Sequence, residues 1–156
     1  MIRVLFVCTG NICRSPTAEG VFAAELVRQG LDDGVATDSA GTHAYHVGEP
    51  PDQRSIQAAR LRGYDIEHLR ARQVRPSDFE RFDLILAMDS GHLRQLRGQC
   101  PSEYQDRIRL FLDFAPETGV KNMPDPYYGG PQGFEHVLDL VEAGVRGLIT
   151  HLKTEP

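Results

Sequence analysis

Cysteine is scarce in this chain: 156 residues carry only Cys8, Cys13 and Cys100. That count does not make the disulfide framework of an extracellular domain. No apolar run approaches the length of a membrane span, and no secretory signal pattern opens the chain. A cytoplasmic location with no membrane partner is therefore expected. Basic residues are outnumbered, 17 Lys and Arg against 22 Asp and Glu, for a formal net charge of −5. With no basic cluster, nucleic acid is not expected as a partner. His43 and His46 are close in sequence but lack a surrounding cysteine or carboxylate pattern, so no metal site is expected. No repeat, linker or low-complexity segment divides the chain. Residues 1–156 read as a single domain, long enough to bury one core.

What is present concentrates near the start, in Val7-Cys8-Thr9-Gly10-Asn11-Ile12-Cys13-Arg14-Ser15-Pro16. Val4 to Val7 form a continuous apolar run, the pattern of a buried parallel strand. Ser15 is a good N-cap and Pro16 suits a first helical position. Ala18, Val21, Phe22 and Leu26 then share one helical face, and Gly30 closes the segment. The residues from Cys8 to Arg14 thus join the end of a strand to the start of a helix. Free backbone N–H groups and the positive end of a helix dipole converge there and favour an anion. The same field favours the thiolate of Cys8. Gly10 permits a tight path, and Asn11 tolerates a left-handed conformation. Arg14 grips two oxygens of a phosphate at once. A lone cysteine at a strand end is usually a small buried hydrophobe, but here Gly10, Asn11, Arg14 and Ser15 each have a part in an anion cradle. A nucleotide P-loop would end in Gly-Lys-Ser/Thr, and this loop has no lysine.

Further along, Val35 to Ala40 reads as a second strand stopped by Gly41. Asp52 caps a helix running to about Arg62. Asp83 to Met88 reads as a third strand, followed by a helix from Ser90, and Arg107 to Phe111 as a fourth. Residues 115–133 are rich in proline and glycine and read as a long loop, of a length that is often functional. The last helix places Phe134, Val137, Leu138, Val141, Val145, Leu148, Ile149 and Leu152 on one face. Strands alternating with helices predict an α/β fold whose parallel sheet is covered on both sides, with ligands at the carboxyl ends of the strands.

Cys8 and Arg14, with five residues between them, resemble the signature of cysteine-dependent phosphatases. The wider string resembles the low-molecular-weight protein tyrosine phosphatase family, which places its general acid near the C-terminus in an Asp-Pro-Tyr-Tyr segment. This chain has Asp125-Pro126-Tyr127-Tyr128. The resemblance covers the full length. It implies a three-layer sandwich around a four-stranded parallel sheet of order 2-1-3-4, and hydrolysis of phosphotyrosine monoesters through a cysteinyl-phosphate, without metal or other cofactor. By the resemblance, Cys8 attacks phosphorus, and Arg14 with the amides of Thr9, Gly10, Asn11, Ile12, Cys13, Arg14 and Ser15 holds the equatorial oxygens. Asp125 protonates the leaving oxygen and then activates water. Ser15 bonds the Cys8 sulfur, Asn11 braces the loop, and Ser39 partners Asn11. Tyr127 and Tyr128 wall the cleft beside Ile12, with Tyr45 on the opposite wall. Cys13 traps oxidised Cys8 as a disulfide. Cys100 reads as a structural or surface thiol. Phosphotyrosine proteins are the implied partners, a bacterial tyrosine kinase among them, and inorganic phosphate is the product.

Two departures stand out. The family often has a loop-bracing histidine directly before its basic-Ala-Arg segment, but Leu69 precedes Arg70-Ala71-Arg72 here and His68 lies one place earlier. His92 stands where the family often has asparagine. Arsenate reduction on this scaffold requires two further cysteines near the middle of the chain, where only Cys100 is available. Phosphoarginine-specific relatives carry threonine at the position of Ile12, whose apolar side chain suits a phenyl ring instead. A silent phosphotyrosine-binding module is a third alternative, and Cys8, Arg14 and Asp125 all argue for activity.

Overall fold

The computed structural model describes residues 1–127 and 129–154. Four strands, β1 (Ile2–Cys8), β2 (Val35–Gly41), β3 (Leu84–Ala87) and β4 (Ile108–Leu110), form one parallel sheet in the order β2-β1-β3-β4. This is the predicted order. Among the described residues five α-helices accompany it: α1 (Arg14–Arg28), α2 (Gln53–Leu61), α3 (Asp78–Arg81), α4 (Ser90–Gln99) and α5 (Pro131–Thr154).

Strand periodicity sorts the β1 side chains between two cores. Val4, Phe6 and Cys8 face α1 and α5, whereas Leu5 and Val7 join a second cluster with Phe79 of α3 and Leu96 of α4. Phe6 anchors the larger core edge-on, its ring centroid 5.6 Å from Phe22 and 5.4 Å from Phe111. The α5 face is as the spacing predicts, with Leu152 only half-buried at its end. The sheet is therefore buried on both faces, and its central strand delivers Cys8 to the carboxyl edge.

Several boundaries differ from expectation. Helix α1 begins at Arg14, with Cys13 at its N-cap and no side-chain cap. Ser15 lies inside the first turn because its hydroxyl is engaged by Cys8 and Asn11 instead of the backbone. Strand β4 ends at Leu110, and Phe111–Phe114 turn into a 3-10 helix that feeds Phe111 and Phe114 to the core. The short α3 has no sequence counterpart, since four residues are too few for a helical period. Asp52 caps α2 as predicted, accepting from the Arg54 amide at 2.8 Å, and Asp89 caps α4 through the His92 amide at 2.9 Å. The segment 115–133 contains a 3-10 turn at Pro116–Thr118 and gives way to α5 at Pro131. Cys100 is buried in the second core, a structural position.

Candidate active site

The loop from Cys8 to Arg14 hangs between β1 and α1 with its carbonyls turned outward. The oxygens of Cys8, Thr9 and Ile12 accept from the amides of Thr42 (2.9 Å), His43 (3.0 Å) and Asp52 (2.8 Å). Among the described residues, none of the amides of residues 9–13 donates to another protein group. A loop that spends its acceptors outward and keeps its donors inward is a nest for an anion. Gly41 makes the fit possible: a Cβ there would lie 2.8 Å from the Thr9 oxygen. Asn11 adopts φ 59°, the left-handed conformation its side chain tolerates. Gly10 is required for space instead of dihedral freedom, since a Cβ would meet the His46 ring at 2.9 Å.

Cys8 Sγ lies 2.9 Å from Ser15 Oγ. Asn11 Nδ2 donates to Ser15 Oγ at 2.8 Å and to Ser39 Oγ at 2.9 Å. Both hydroxyls therefore accept from Asn11, which leaves the Ser15 hydrogen for the sulfur and the Ser39 hydrogen for Glu19 Oε1, 2.6 Å away. The Asn11 amide is oriented by its own oxygen, which accepts from the Arg72 backbone N–H at 3.0 Å. Arg72 is in turn clamped between Asp38 (3.0 Å) and the buried Asp78 (2.9 Å). Neither His68 nor Leu69 enters this network. His68 is exposed, and Leu69 packs with Ile56, Ala59 and Ile66. Glu19 and the Arg72 amide complete the network instead. Burial pushes the Glu19 carboxyl up to about 7, more than the Ser39 hydroxyl lowers it.

Arg14 is buried, with its guanidinium at the loop's open side. Nη1 donates to Asp89 Oδ2 at 2.9 Å and to the Met123 carbonyl at 3.0 Å. Nη2 lies 3.5 Å from Asp125 Oδ2 and 3.5 Å from Thr9 Oγ1. Burial opposes the Asp89 charge, but the His92 amide and Arg14 outweigh it and hold this carboxyl below its ordinary range. The 115–133 segment thus delivers two groups to Arg14, a carbonyl from Met123 and a carboxylate from Asp125.

A cleft of about 290 Å³ opens over the loop. Cys8, Thr9, Gly10, Ile12, Cys13, Arg14 and Asp125 line it, with Tyr45, His46 and Tyr127 at its walls. Tyr45 is exposed and stacks on His43 at 5.0 Å, and the Tyr127 ring lies under the Arg54 guanidinium at 5.3 Å. Tyr128 lies outside the described residues. The structure therefore brings the sequence-predicted residues together, Tyr128 aside, with Ser39 behind the loop as a partner of Asn11. Sequence reasoning missed Glu19, Asp89 and the pairing of Thr9 with His92. Of these, only His92 left a signal, as a departure from the family's usual asparagine. Cys13 is a buried member of the loop, and burial, reinforced by Asp52, pushes its thiol up to about 12.

A thiol held by a hydroxyl donor, a buried guanidinium and an exposed carboxylate around an anion nest define a phosphate-ester site. The family model for low molecular weight phosphotyrosine protein phosphatase matches residues 3–156. The chain is 46% identical to the low molecular weight protein-tyrosine-phosphatase of Streptomyces coelicolor, over 98% of this chain and 94% of that one. It is 37% identical to the low molecular weight protein-tyrosine-phosphatase YfkJ of Bacillus subtilis, over 99% and 98% of the two chains. The crystal structure of a protein tyrosine phosphatase from Entamoeba histolytica with Hepes in its active site superposes with a TM-score of 0.96 at 40% identity, covering 99% of this chain and 98% of that one. The chain belongs to the low molecular weight phosphotyrosine protein phosphatase family and is an enzyme of that class. Among the described residues, no helix is long and apolar enough to cross a membrane.

Proposed function

We propose that the protein hydrolyses phosphotyrosine monoesters in proteins through a phosphorylated Cys8, with Asp125 as general acid and then general base. The carrying observation is the convergence of Cys8, Arg14 and Asp125 on one cleft, with Arg14 Nη2 3.5 Å from Asp125 Oδ2. The Cys8 thiolate attacks phosphorus while the loop amides and Arg14 hold the three equatorial oxygens, whose charge spreads in the transition state. Asp125 gives its proton to the departing phenolate, so the tyrosine leaves neutral. The same carboxylate then takes a proton from water, which attacks the phosphocysteine and releases inorganic phosphate. The Ser15 hydroxyl stabilises the sulfur as attacking thiolate and again as leaving group.

Tyr45 and Tyr127 are placed to hold the substrate ring between them, over the apolar edge of Ile12. That wall favours an aryl ester over phosphoarginine. The substrates are phosphotyrosine proteins of the cytoplasm, a tyrosine kinase among them. Cys13, kept as a neutral thiol by burial, acts only after Cys8 is oxidised by peroxide: its sulfur attacks the sulfenic acid, water leaves, and the resulting disulfide protects Cys8 until a thiol reduces it.

The test compares phosphotyrosine, phosphoserine and phosphoarginine peptides with wild type and Cys8→Ser. Turnover confined to the phosphotyrosine peptide and abolished in Cys8→Ser supports the reading. Preference for phosphoarginine, or activity surviving in Cys8→Ser, overturns it.

A further inference from the structure

The Thr9 side chain and His92 have no part in the chemistry above, yet they close a ring around its arginine. His92 stands in the first turn of α4, 5% exposed, with Nε2 2.8 Å from Thr9 Oγ1. Its Nδ1 is 3.2 Å from Asp89 Oδ1 but makes no hydrogen bond there, one of two such buried side-chain atoms among the described residues. The other Asp89 oxygen holds Arg14 Nη1 at 2.9 Å, and Arg14 Nη2 returns to Thr9 Oγ1 at 3.5 Å. Arg14, Asp89, His92 and Thr9 thus form a cycle of four side chains.

Arg14 has only donors, so Thr9 Oγ1 accepts from it. The Thr9 hydrogen is then available to His92 Nε2, an arrangement that puts the proton of the imidazole on Nδ1, 3.2 Å from Asp89 Oδ1. The charged and titratable groups facing the ring are Asp89, Arg14, Asp125 and His43. Burial dominates among these influences and pushes the imidazole down to about 4, so His92 is neutral at physiological pH. A charged imidazole would present a donor to Thr9 in place of an acceptor, and a second cation to Arg14.

We infer that His92 is a positioning residue: through the Thr9 hydroxyl it fixes the plane of the Arg14 guanidinium. This rests on the role of Arg14 proposed above. Asp89 and Met123 fix one end of the guanidinium, and the Thr9–His92 pair fixes the other. The second end, Nη2, is also the one nearest Asp125, so its place sets the spacing between the phosphate site and the acid. Phosphoryl transfer depends on how the groups that hold the equatorial oxygens are positioned, so loss of this anchor is felt in turnover although His92 touches no substrate.

Side-chain length gives the test. Glutamine places an amide near the position of a histidine Nε2 and reaches Thr9, whereas asparagine mimics Nδ1 and does not. His92→Gln is expected to keep kcat/KM for an aryl phosphate within about threefold, and His92→Asn to lose on the order of tenfold. Thr9→Val is expected to lose as much, and the double variant Thr9→Val/His92→Asn no more than either alone, because the two residues act as one unit. Affinity for inorganic phosphate, read by thermal shift, is expected to fall in His92→Asn and to persist in His92→Gln. That binding reports on the anchor even if phosphotyrosine is the wrong substrate, whereas an inactive wild type that binds phosphate normally would indict the proposed function alone. Should His92→Asn fail to fold, Thr9→Ser against Thr9→Val asks the same question, with activity expected only where the hydroxyl remains. Additive losses in the double variant, or a folded His92→Asn with unchanged kcat/KM and phosphate affinity, would overturn the inference.

Discussion

The hydroxyl of Ser15 lies 2.9 Å from the sulfur of Cys8 and accepts from Asn11 at 2.8 Å, so its hydrogen is available to a Cys8 thiolate. A donor fixed in this sense stabilises the thiolate over the thiol. Ser15→Ala should therefore slow alkylation of Cys8 by iodoacetate at neutral pH and lower turnover of an aryl phosphate by roughly tenfold. Mass spectrometry of the Cys8 peptide reads the first effect without any substrate. Alkylation as fast as in the wild type would remove Ser15 from the activation of the thiol.

Asp125 is exposed, with its carboxylate 3.5 Å from Arg14. As the proposed proton donor, it matters more the more basic the oxygen that departs. Asp125→Ala should cost about 10²-fold or more on phosphotyrosine and clearly less on nitrophenyl phosphate, whose phenolate leaves without help. Equal slowing of both substrates would assign the carboxylate another task.

Asn11 combines a left-handed backbone, φ 59°, with hydrogen bonds to Ser15, Ser39 and the Arg72 amide. Asn11→Ala keeps the backbone strain and loses the side-chain bonds, whereas Asn11→Gly loses only the bonds. Denaturant melts should show the glycine variant down by about 2 kcal/mol and the alanine variant down by about 1 kcal/mol more. Equal stability of the two would mean that the loop backbone relaxes on substitution.

Much of this site is legible in the sequence, and the reason is local. The bonds of Ser15 to Cys8 and Asn11 join residues a few positions apart, so strand, loop and helix start are read together. The Ser15 cap misleads because the same small hydroxyl that suits an N-cap also suits a thiol partner, and Cys8 competes for it successfully. What escapes is set by tertiary contact. Glu19 meets Ser39 across α1 and β2, and Arg72 presents its amide to Asn11 only because Asp38 and Asp78 clamp it. Leu69 marks where a bracing histidine is missing, but its absence does not say which residue takes over.

Glu19 gives that brace a pH signature. Burial raises its carboxyl from 4.5 to about 7 in the folded chain. The folded state therefore holds the proton more tightly than the unfolded state. Stability contributed by this proton is full below about 4.5 and is lost as pH rises toward 7. Glu19→Gln cannot lose it. Wild type should weaken relative to Glu19→Gln by about 2 kcal/mol between pH 5 and 8, as urea titrations would register. Parallel stability curves across that range would show that Glu19 does not titrate there.

The central claim is the bond between Cys8 sulfur and phosphorus. On the proposed mechanism Asp125→Ala slows the attack of water as well as the first step, so a substrate with a good leaving group should load the enzyme faster than it is cleared. The decisive measurement is mass spectrometry of Asp125→Ala quenched during turnover of nitrophenyl phosphate. The account predicts one added phosphoryl group on the Cys8 peptide, absent from the Asp125→Ala/Cys8→Ser double variant. A phosphoryl group on another residue, or a double variant that still loads, would contradict it.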